Sequence, residues 1–119
     1  MSAEHLPNQS CPIARAARVL GDHWTLLILR DLAGGCRRFH ELELSTGMSP
    51  SILSGRLRAL EAAAMITRHQ FNEIPPRVEY ALTDMGRAAL PIVDQLRRFG
   101  EDWLSDAGDE APCAPPSDR

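Results

Sequence analysis

Residues 39–63, FHELELSTGMSPSILSGRLRALEAA, decide the fold. The segment 39–45 has the apolar spacing of a short helix, and a turn containing Gly47 follows it. Ser49 then supplies an N-cap and Pro50 the first helical position, which predicts a second helix that runs to about residue 63. Two short helices around a glycine-containing turn are the pattern of a helix-turn-helix unit.

The segments on either side complete a mainly helical domain. Upstream, residues 12–20 predict an amphipathic helix, and residues 23–33 predict an apolar helix at the centre of the core. Downstream, residues 66–71 and 78–82 predict two strands, joined by a loop that contains Pro75 and Pro76. Thr83 is expected to cap a last helix, 83–105, kinked at Pro91. The predicted fold is mainly α with a small antiparallel β-hairpin (α+β), a winged helix-turn-helix.

Length and composition leave room for one domain. The chain has 119 residues, of which 44% are hydrophobic. No apolar run approaches the roughly 18 residues of a membrane span, and the first residues lack the layout of a signal peptide, so we expect a cytoplasmic protein. We predict a flexible N-terminal arm at 1–10, the domain at 11–105 and a disordered acidic tail at 106–119.

The charge is divided unevenly along the chain. The formal net charge is -3, which is unfavourable for a protein that neutralises DNA phosphates. Residues 101–119 carry six acids against one Arg, however, whereas residues 1–100 carry ten acids against twelve Arg, a balance of +2. The body of the protein is therefore mildly basic.

The predicted helix that begins after Ser49 has the features of a recognition helix. The apolar residues expected to line its inward face are Ile52, Leu53, Leu57 and Leu60. With the leucines inward, the 100° step per residue turns a small, polar face to solvent. That outward face consists of Ser51, Ser54, Gly55 and Arg58. Small residues let a helix sit deep in the major groove, where Ser can bond several base edges and Arg can bind guanine. The alternative is an ordinary solvated surface of short polar side chains.

Arginines beside this helix are candidates for phosphate contacts. Arg37 and Arg38 precede the first helix of the pair, the one that crosses the DNA backbone in such units. Arg56 is either a phosphate contact or the partner of a carboxylate. Arg77 follows the proline-containing wing loop and either reaches the DNA or forms a salt bridge with Glu79 or Glu73. The full set of candidate DNA contacts is Arg37, Arg38, Ser49, Ser51, Ser54, Gly55, Arg56, Arg58 and Arg77.

Five segments together resemble the HxlR-type winged helix-turn-helix regulators, which are related to the MarR group. They are CP at 11–12, GDHWTLLILRDL at 21–32, RFHEL at 38–42, SPSILSGRLRALE at 49–61 and PPRVEYALTDMG at 75–86. The resemblance implies a DNA-binding homodimer that regulates nearby genes and dimerises through its N- and C-terminal helices, so that the predicted last helix would be a dimerisation helix 83–105. We accordingly assign dimer contacts to Ile13, Leu96, Phe99 and Trp103. The sequence departs from the family at Ser51, where a basic residue is common, at His23, and at Cys36, expected here to be a partly exposed thiol.

Cys11 is the candidate sensor residue. It lies at a predicted helix N-terminus with Arg15 four residues on, and both features favour a thiolate. Some members of the family that this chain resembles use a cysteine at this position to sense electrophiles or oxidants. The alternative is a small, inert core residue. The three cysteines and four histidines show no metal-ligand spacing, so we expect neither a disulfide framework nor a metal site.

The sequence predicts a sequence-specific regulator that binds double-stranded DNA at an inverted repeat. It shows no nucleophile and base pair, no metal spacing and no phosphate loop, so we expect no enzymatic activity and no cofactor. The competing interpretation is a winged-helix module that binds proteins and lacks specific DNA binding.

Overall fold

Helices and one hairpin follow one another in the predicted order. The computed structural model describes residues 11–104. Its elements in chain order are α1 (Pro12–Leu20), α2 (His23–Ala33), α3 (Phe39–Thr46), α4 (Pro50–Ala62), β1 (Ile66–Phe71), β2 (Arg77–Leu82), α5 (Asp84–Ala88) and α6 (Leu90–Trp103). This confirms the winged helix-turn-helix. The predictions for residues 1–10 and 106–119 lie outside the described residues.

Helix α2 forms the centre of the core, as its all-round apolar sequence predicts. It begins at Asp22, whose carboxylate accepts a hydrogen bond from the Thr25 backbone N–H at 3.1 Å. Ile28 and Leu29 are fully buried, and α2 contacts α1, α3, α4, α6 and β2. Since five of the seven other elements pack on this helix, it sets their relative positions.

The helix-turn-helix unit is built by the signals in residues 39–63. Helix α3 ends at Gly47, which has a φ of 78°, a left-handed conformation that glycine adopts without strain. Ser49 Oγ then accepts a hydrogen bond from the Ile52 backbone N–H at 3.3 Å, so α4 begins where the sequence predicts. Leu53, Leu57 and Leu60 are buried, which confirms the inward face of α4.

The wing is an antiparallel hairpin that is fastened to the helix-turn-helix unit. Strands β1 and β2 pair from Ile66 opposite Leu82 to Phe71 opposite Arg77. Strand β2 begins one residue earlier than expected, at Arg77. The backbone N–H of Tyr80 donates to the carbonyl of Arg37 at 2.8 Å, just before α3 begins. The wing and the segment that leads into α3 are therefore joined by a backbone hydrogen bond.

The C-terminal region differs from the single kinked helix that we predicted for 83–105. The chain forms α5 and α6, and the break lies at Ala89. Pro91 falls in the first turn of α6, where a missing N–H leaves no intrahelical bond unmade. Thr83 Oγ1 caps α5 by accepting from the Gly86 N–H at 3.0 Å. A Cβ on Gly86 would lie 2.2 Å from the Met65 carbonyl oxygen, so α5 packs directly on the backbone before β1.

Two single-residue expectations were wrong. Cys36 is 1% exposed, not partly exposed, because it lies in the core beyond the end of α2. It is also disulfide-bonded, whereas the sequence analysis expected no disulfide framework. Ile52, placed by its apolar character with the inward leucines, is 40% exposed because its neighbour Leu53 takes the core position. Within residues 11–104, none of the helices has the length and apolarity needed to cross a membrane.

Candidate nucleic-acid interface

The outward face of α4 carries the predicted small and polar side chains. Ser51 and Arg58 are exposed, and Ser54 and Gly55 are half-buried. Arg58 Nη1 donates a hydrogen bond to Ser54 Oγ at 2.8 Å. This bond uses one of the five N–H donors of the guanidinium and leaves the others available for a base edge. Arg58 is thus held along the helix by a neighbour one turn away.

Two cationic side chains project from the segment that precedes α3. Arg37 and Arg38 are exposed, and neither guanidinium makes a hydrogen bond or ion pair with other residues in 11–104. Their backbone is fixed by Glu41, whose Oε1 accepts from the Arg37 N–H at 2.7 Å and from the Arg38 N–H at 3.1 Å. These two backbone bonds hold the pKa of Glu41 below its ordinary value of 4.5. Glu41 therefore orders the arginine pair while both cationic heads stay in solvent.

Arg56 is bound within the protein. Its Nε lies 2.9 Å from Asp22 Oδ2 and its Nη2 lies 3.4 Å from Asp22 Oδ1. Partial burial raises the pKa of Asp22, but the Thr25 N–H and the Arg56 guanidinium outweigh it, and the net shift is downward. Of the two alternatives for Arg56, the structure shows the carboxylate partner. The pair connects α4 to the N-cap of α2.

Arg77 is likewise bound within the protein, in a cluster of side chains on the wing. Its guanidinium binds Glu73 through Nε and Nη2, at 3.2 and 2.7 Å, and binds Glu79 through Nη1. The same group stacks 3.8 Å from the centroid of the Phe71 ring. The hydrogen bonds to Glu73 and Glu79 raise the pKa of Arg77, and the hydrogen bond from Arg77 lowers the pKa of Glu73. Arg77 therefore closes the wing loop, the salt-bridge alternative of the sequence analysis.

One candidate remains, and three exposed residues of α4 and the wing lie outside the predicted set. Ser49 uses its hydroxyl as the N-cap acceptor of α4. Ile52 is exposed beside Ser51, Arg68 is exposed on β1, and Ile74 at the wing tip is 102% exposed. Only the position of Ile74 between Glu73 and Pro75 in the loop could have predicted its exposure.

Cys11 and Arg15 lie at the start of α1. Cys11 is the N-cap residue and is half-buried, and its thiol makes no capping hydrogen bond. The Arg15 backbone N–H donates to the Cys11 carbonyl at 3.0 Å, which closes the first helical turn. Among residues 11–104 there is no cluster of His, Cys, Asp or Glu suited to a metal ion.

The predicted dimer residues form exposed apolar surfaces on the two terminal helices. Ile13 on α1 is 78% exposed. On α6, the spacing of three and four residues puts Leu96, Phe99 and Trp103 on one stripe, with exposures of 46%, 56% and 75%. We call this set, together with Ile92, the α6 stripe. None of the residues of α1 or α6 is buried.

These features define a class of protein, the winged helix-turn-helix DNA-binding regulators. The polar face of α4, the two free arginines before α3 and the adjoining hairpin have the arrangement that such proteins present to the major groove and its flanking phosphates. The model of the HxlR-like helix-turn-helix family matches residues 19–108. The chain belongs to this family and is a DNA-binding transcriptional regulator.

Similar proteins agree with this assignment. The chain is 42% identical over 95 residues to the uncharacterized HTH-type transcriptional regulator sll1512 of Synechocystis sp., covering 79% of this chain and 70% of the relative. The crystal structure of PA1607 matches with a TM-score of 0.77 and 38% identity, covering 85% of this chain and 70% of that one. The redox regulator HypR in its oxidized form matches with a TM-score of 0.75 and 33% identity, covering 82% and 100%.

Proposed function

We propose that the protein acts as a homodimer that places two α4 helices in successive major grooves of an inverted-repeat operator. The observation that carries this proposal is the α6 stripe. Its four apolar side chains lie along one side of the helix, and each is 46% exposed or more. Exposure of such a patch to water is unfavourable. A two-fold axis would bury it against the same patch of a second copy. Ile13 on α1 adds a second exposed apolar side chain. Two-fold symmetry would then space the recognition helices about 34–36 Å apart along the DNA.

The candidate residues have different roles, depending on whether the side chain already has a partner within the protein. Ser51, Ser54 and Arg58 contact base edges, and Gly55 allows the close approach of α4. Arg37 and Arg38, whose guanidinium groups are free of ion pairs within the described residues, contact phosphates. Arg56, Arg77 and Ser49 act indirectly, because each already holds an intramolecular partner. No catalytic role is proposed, and the site of action would be chromosomal DNA in the cytoplasm.

A mobility-shift titration over a salt series tests this division. The probe is the DNA upstream of the protein's own gene, with a scrambled duplex of equal length as competitor. We expect a retarded dimer complex whose affinity falls steeply with salt, and an Arg37→Gln/Arg38→Gln variant with a shallower slope by roughly two on a double-logarithmic plot. Arg97→Gln, an exposed arginine on α6, is the matched control. Salt-independent binding, or equal slopes for the two variants, would contradict the proposal.

We also propose that Cys11 makes DNA binding sensitive to oxidants. It is the half-buried cap of α1, a helix that contributes to the proposed dimer surface, so a change of the thiol would act beside the interface. The likeness to HypR, described as a redox regulator, supports this role. After treatment with diamide, mass spectrometry should show a modified Cys11 and the mobility shift should change, whereas Cys11→Ser should be insensitive. An unmodified Cys11 with an unchanged shift would refute it.

A further inference from the structure

A groove of about 300 Å³ lies between α1 and α4, outside the outward face of the recognition helix. Its walls carry three charged groups, which are Arg18 from α1, Arg56 from α4 and Asp22 from the turn between α1 and α2. The formal charge of these groups sums to +1. Val19, Leu60 and Ala63 supply an apolar floor. The groove thus combines a net positive rim with a floor that favours hydrocarbon.

The two arginines of this groove differ in what they bind. Arg56 is paired with Asp22, and the two side chains are 42% and 36% exposed, so this ion pair is solvated and weak enough to exchange partners. Arg18 is exposed and makes no hydrogen bond or ion pair with another residue of 11–104. An incoming carboxylate can therefore bind Arg18 directly and share or replace Asp22 at the Arg56 guanidinium, which has donors to spare.

We propose that this groove binds a small organic anion, a carboxylate with a compact apolar body, as an effector. The anionic head lies between Arg18 and Arg56, and the apolar body covers Val19, Leu60 and Ala63. Such a ligand competes with the Asp22 carboxylate that holds Arg56. Because Arg56 is on the recognition helix and Asp22 caps α2, binding loosens the connection between α4 and the core helix and lowers DNA affinity. This consequence for DNA rests on the function proposed above.

Direct titration of the full chain in the absence of DNA tests the site. The probe is benzoate, and benzamide is the control of the same shape without charge. We expect saturable benzoate binding by ¹H–¹⁵N NMR, with the largest shifts at Arg18, Val19 and Ala63, and weaker binding of benzamide. Arg18→Gln should weaken benzoate binding by about fivefold or more, and the control Arg97→Gln should leave it unchanged. Unsaturable shifts, equal benzamide binding, or an unaffected Arg18→Gln variant would overturn the proposal.

A mobility-shift assay with and without benzoate tests the coupling to DNA. Arg18 is not assigned to the DNA interface, so Arg18→Gln should bind the operator as the native protein does, yet lose the benzoate response. Operator binding without any benzoate effect would refute the effector role and leave the regulator intact. Benzoate binding by NMR in a protein that does not bind DNA would refute the proposed function and leave the groove as a ligand site.

Discussion

Trp103→Ala is expected to abolish the dimer at working concentrations. Trp103 ends the α6 stripe and is 75% exposed, so roughly 150 Å² of its apolar surface contacts water in one chain. At about 25 cal/mol per Å², complete burial of that surface would contribute about 4 kcal/mol per copy. If about half is realised, because interfaces bury side chains incompletely, the two copies contribute about 4 kcal/mol, or about 1,000-fold in the dimer Kd.

Sedimentation velocity over a dilution series measures this change, and fluorescence anisotropy with a labelled inverted repeat follows its effect on DNA. Ile74→Ala is the control, because Ile74 is also an exposed apolar side chain but lies on the wing. It should leave the dimer Kd unchanged. An unchanged dimer in the Trp103 variant would show that the α6 stripe is not the interface. A monomer that still binds the inverted repeat with full affinity would show that dimerisation is not needed.

Three further predictions concern single side chains. Arg58→Ala should relax discrimination at one base pair of each half-site by about 1–3 kcal/mol in a competition panel, while a uniform loss across all sequences would assign Arg58 to the phosphates instead. Arg77→Ala should weaken binding to all DNA sequences, because it leaves the carboxylates of Glu73 and Glu79 unpaired. Adding Glu73→Gln and Glu79→Gln to the same chain should restore the DNA affinity. Failure to recover would mean that the Arg77 guanidinium itself contacts DNA. Glu41 has a pKa lowered below 4.5 in the folded state, so its stabilising effect is complete above about pH 4.5 and disappears as the pH falls through the lower value. The difference in free energy of unfolding between native protein and Glu41→Gln, from urea denaturation, should therefore shrink from pH 7 to pH 3, and a constant difference would contradict this account.

Local signals predicted most of the fold. The bounds of α1, α2 and β1 agree with the sequence analysis, and those of the two helices follow from Pro12, Gly21 and Gly34, which act on the adjacent residues. The start of α4 follows from Ser49 and Pro50 for the same reason. The C-terminal helix was predicted less well because Pro91 has two structural outcomes, a kink or a new first turn. The packing of Gly86 against the Met65 carbonyl, a contact distant in sequence, accompanies the second outcome.

The sequence predicted which residues the candidate site exposes better than it predicted their hydrogen-bond and ion-pair partners. The outward face of α4 follows from helical period alone, and Arg37 and Arg38 could be placed from their position before α3. The partner of Arg56 could not be, because Asp22 is 34 residues away and only the packed fold brings the two together. The partners of Arg77 are within four residues, so both could be named, but only three-dimensional geometry shows that it binds both at once.

The junction between the wing and α5 is rigid, and this rigidity would control the spacing of the two DNA-binding units in the proposed dimer. Thr83 Oγ1 donates toward the carbonyls of Ala64 and Met65, and Gly86 leaves no gap against that backbone. The start of α5 is thereby seated on the base of the wing without a flexible linker. In the proposed dimer, the angle at which the two α6 helices pack would therefore fix the orientation of the two wings, because this junction cannot bend to compensate. The distance between the two α4 helices would then be nearly constant. Operators would be selected by the number of base pairs between the two half-sites as well as by base sequence.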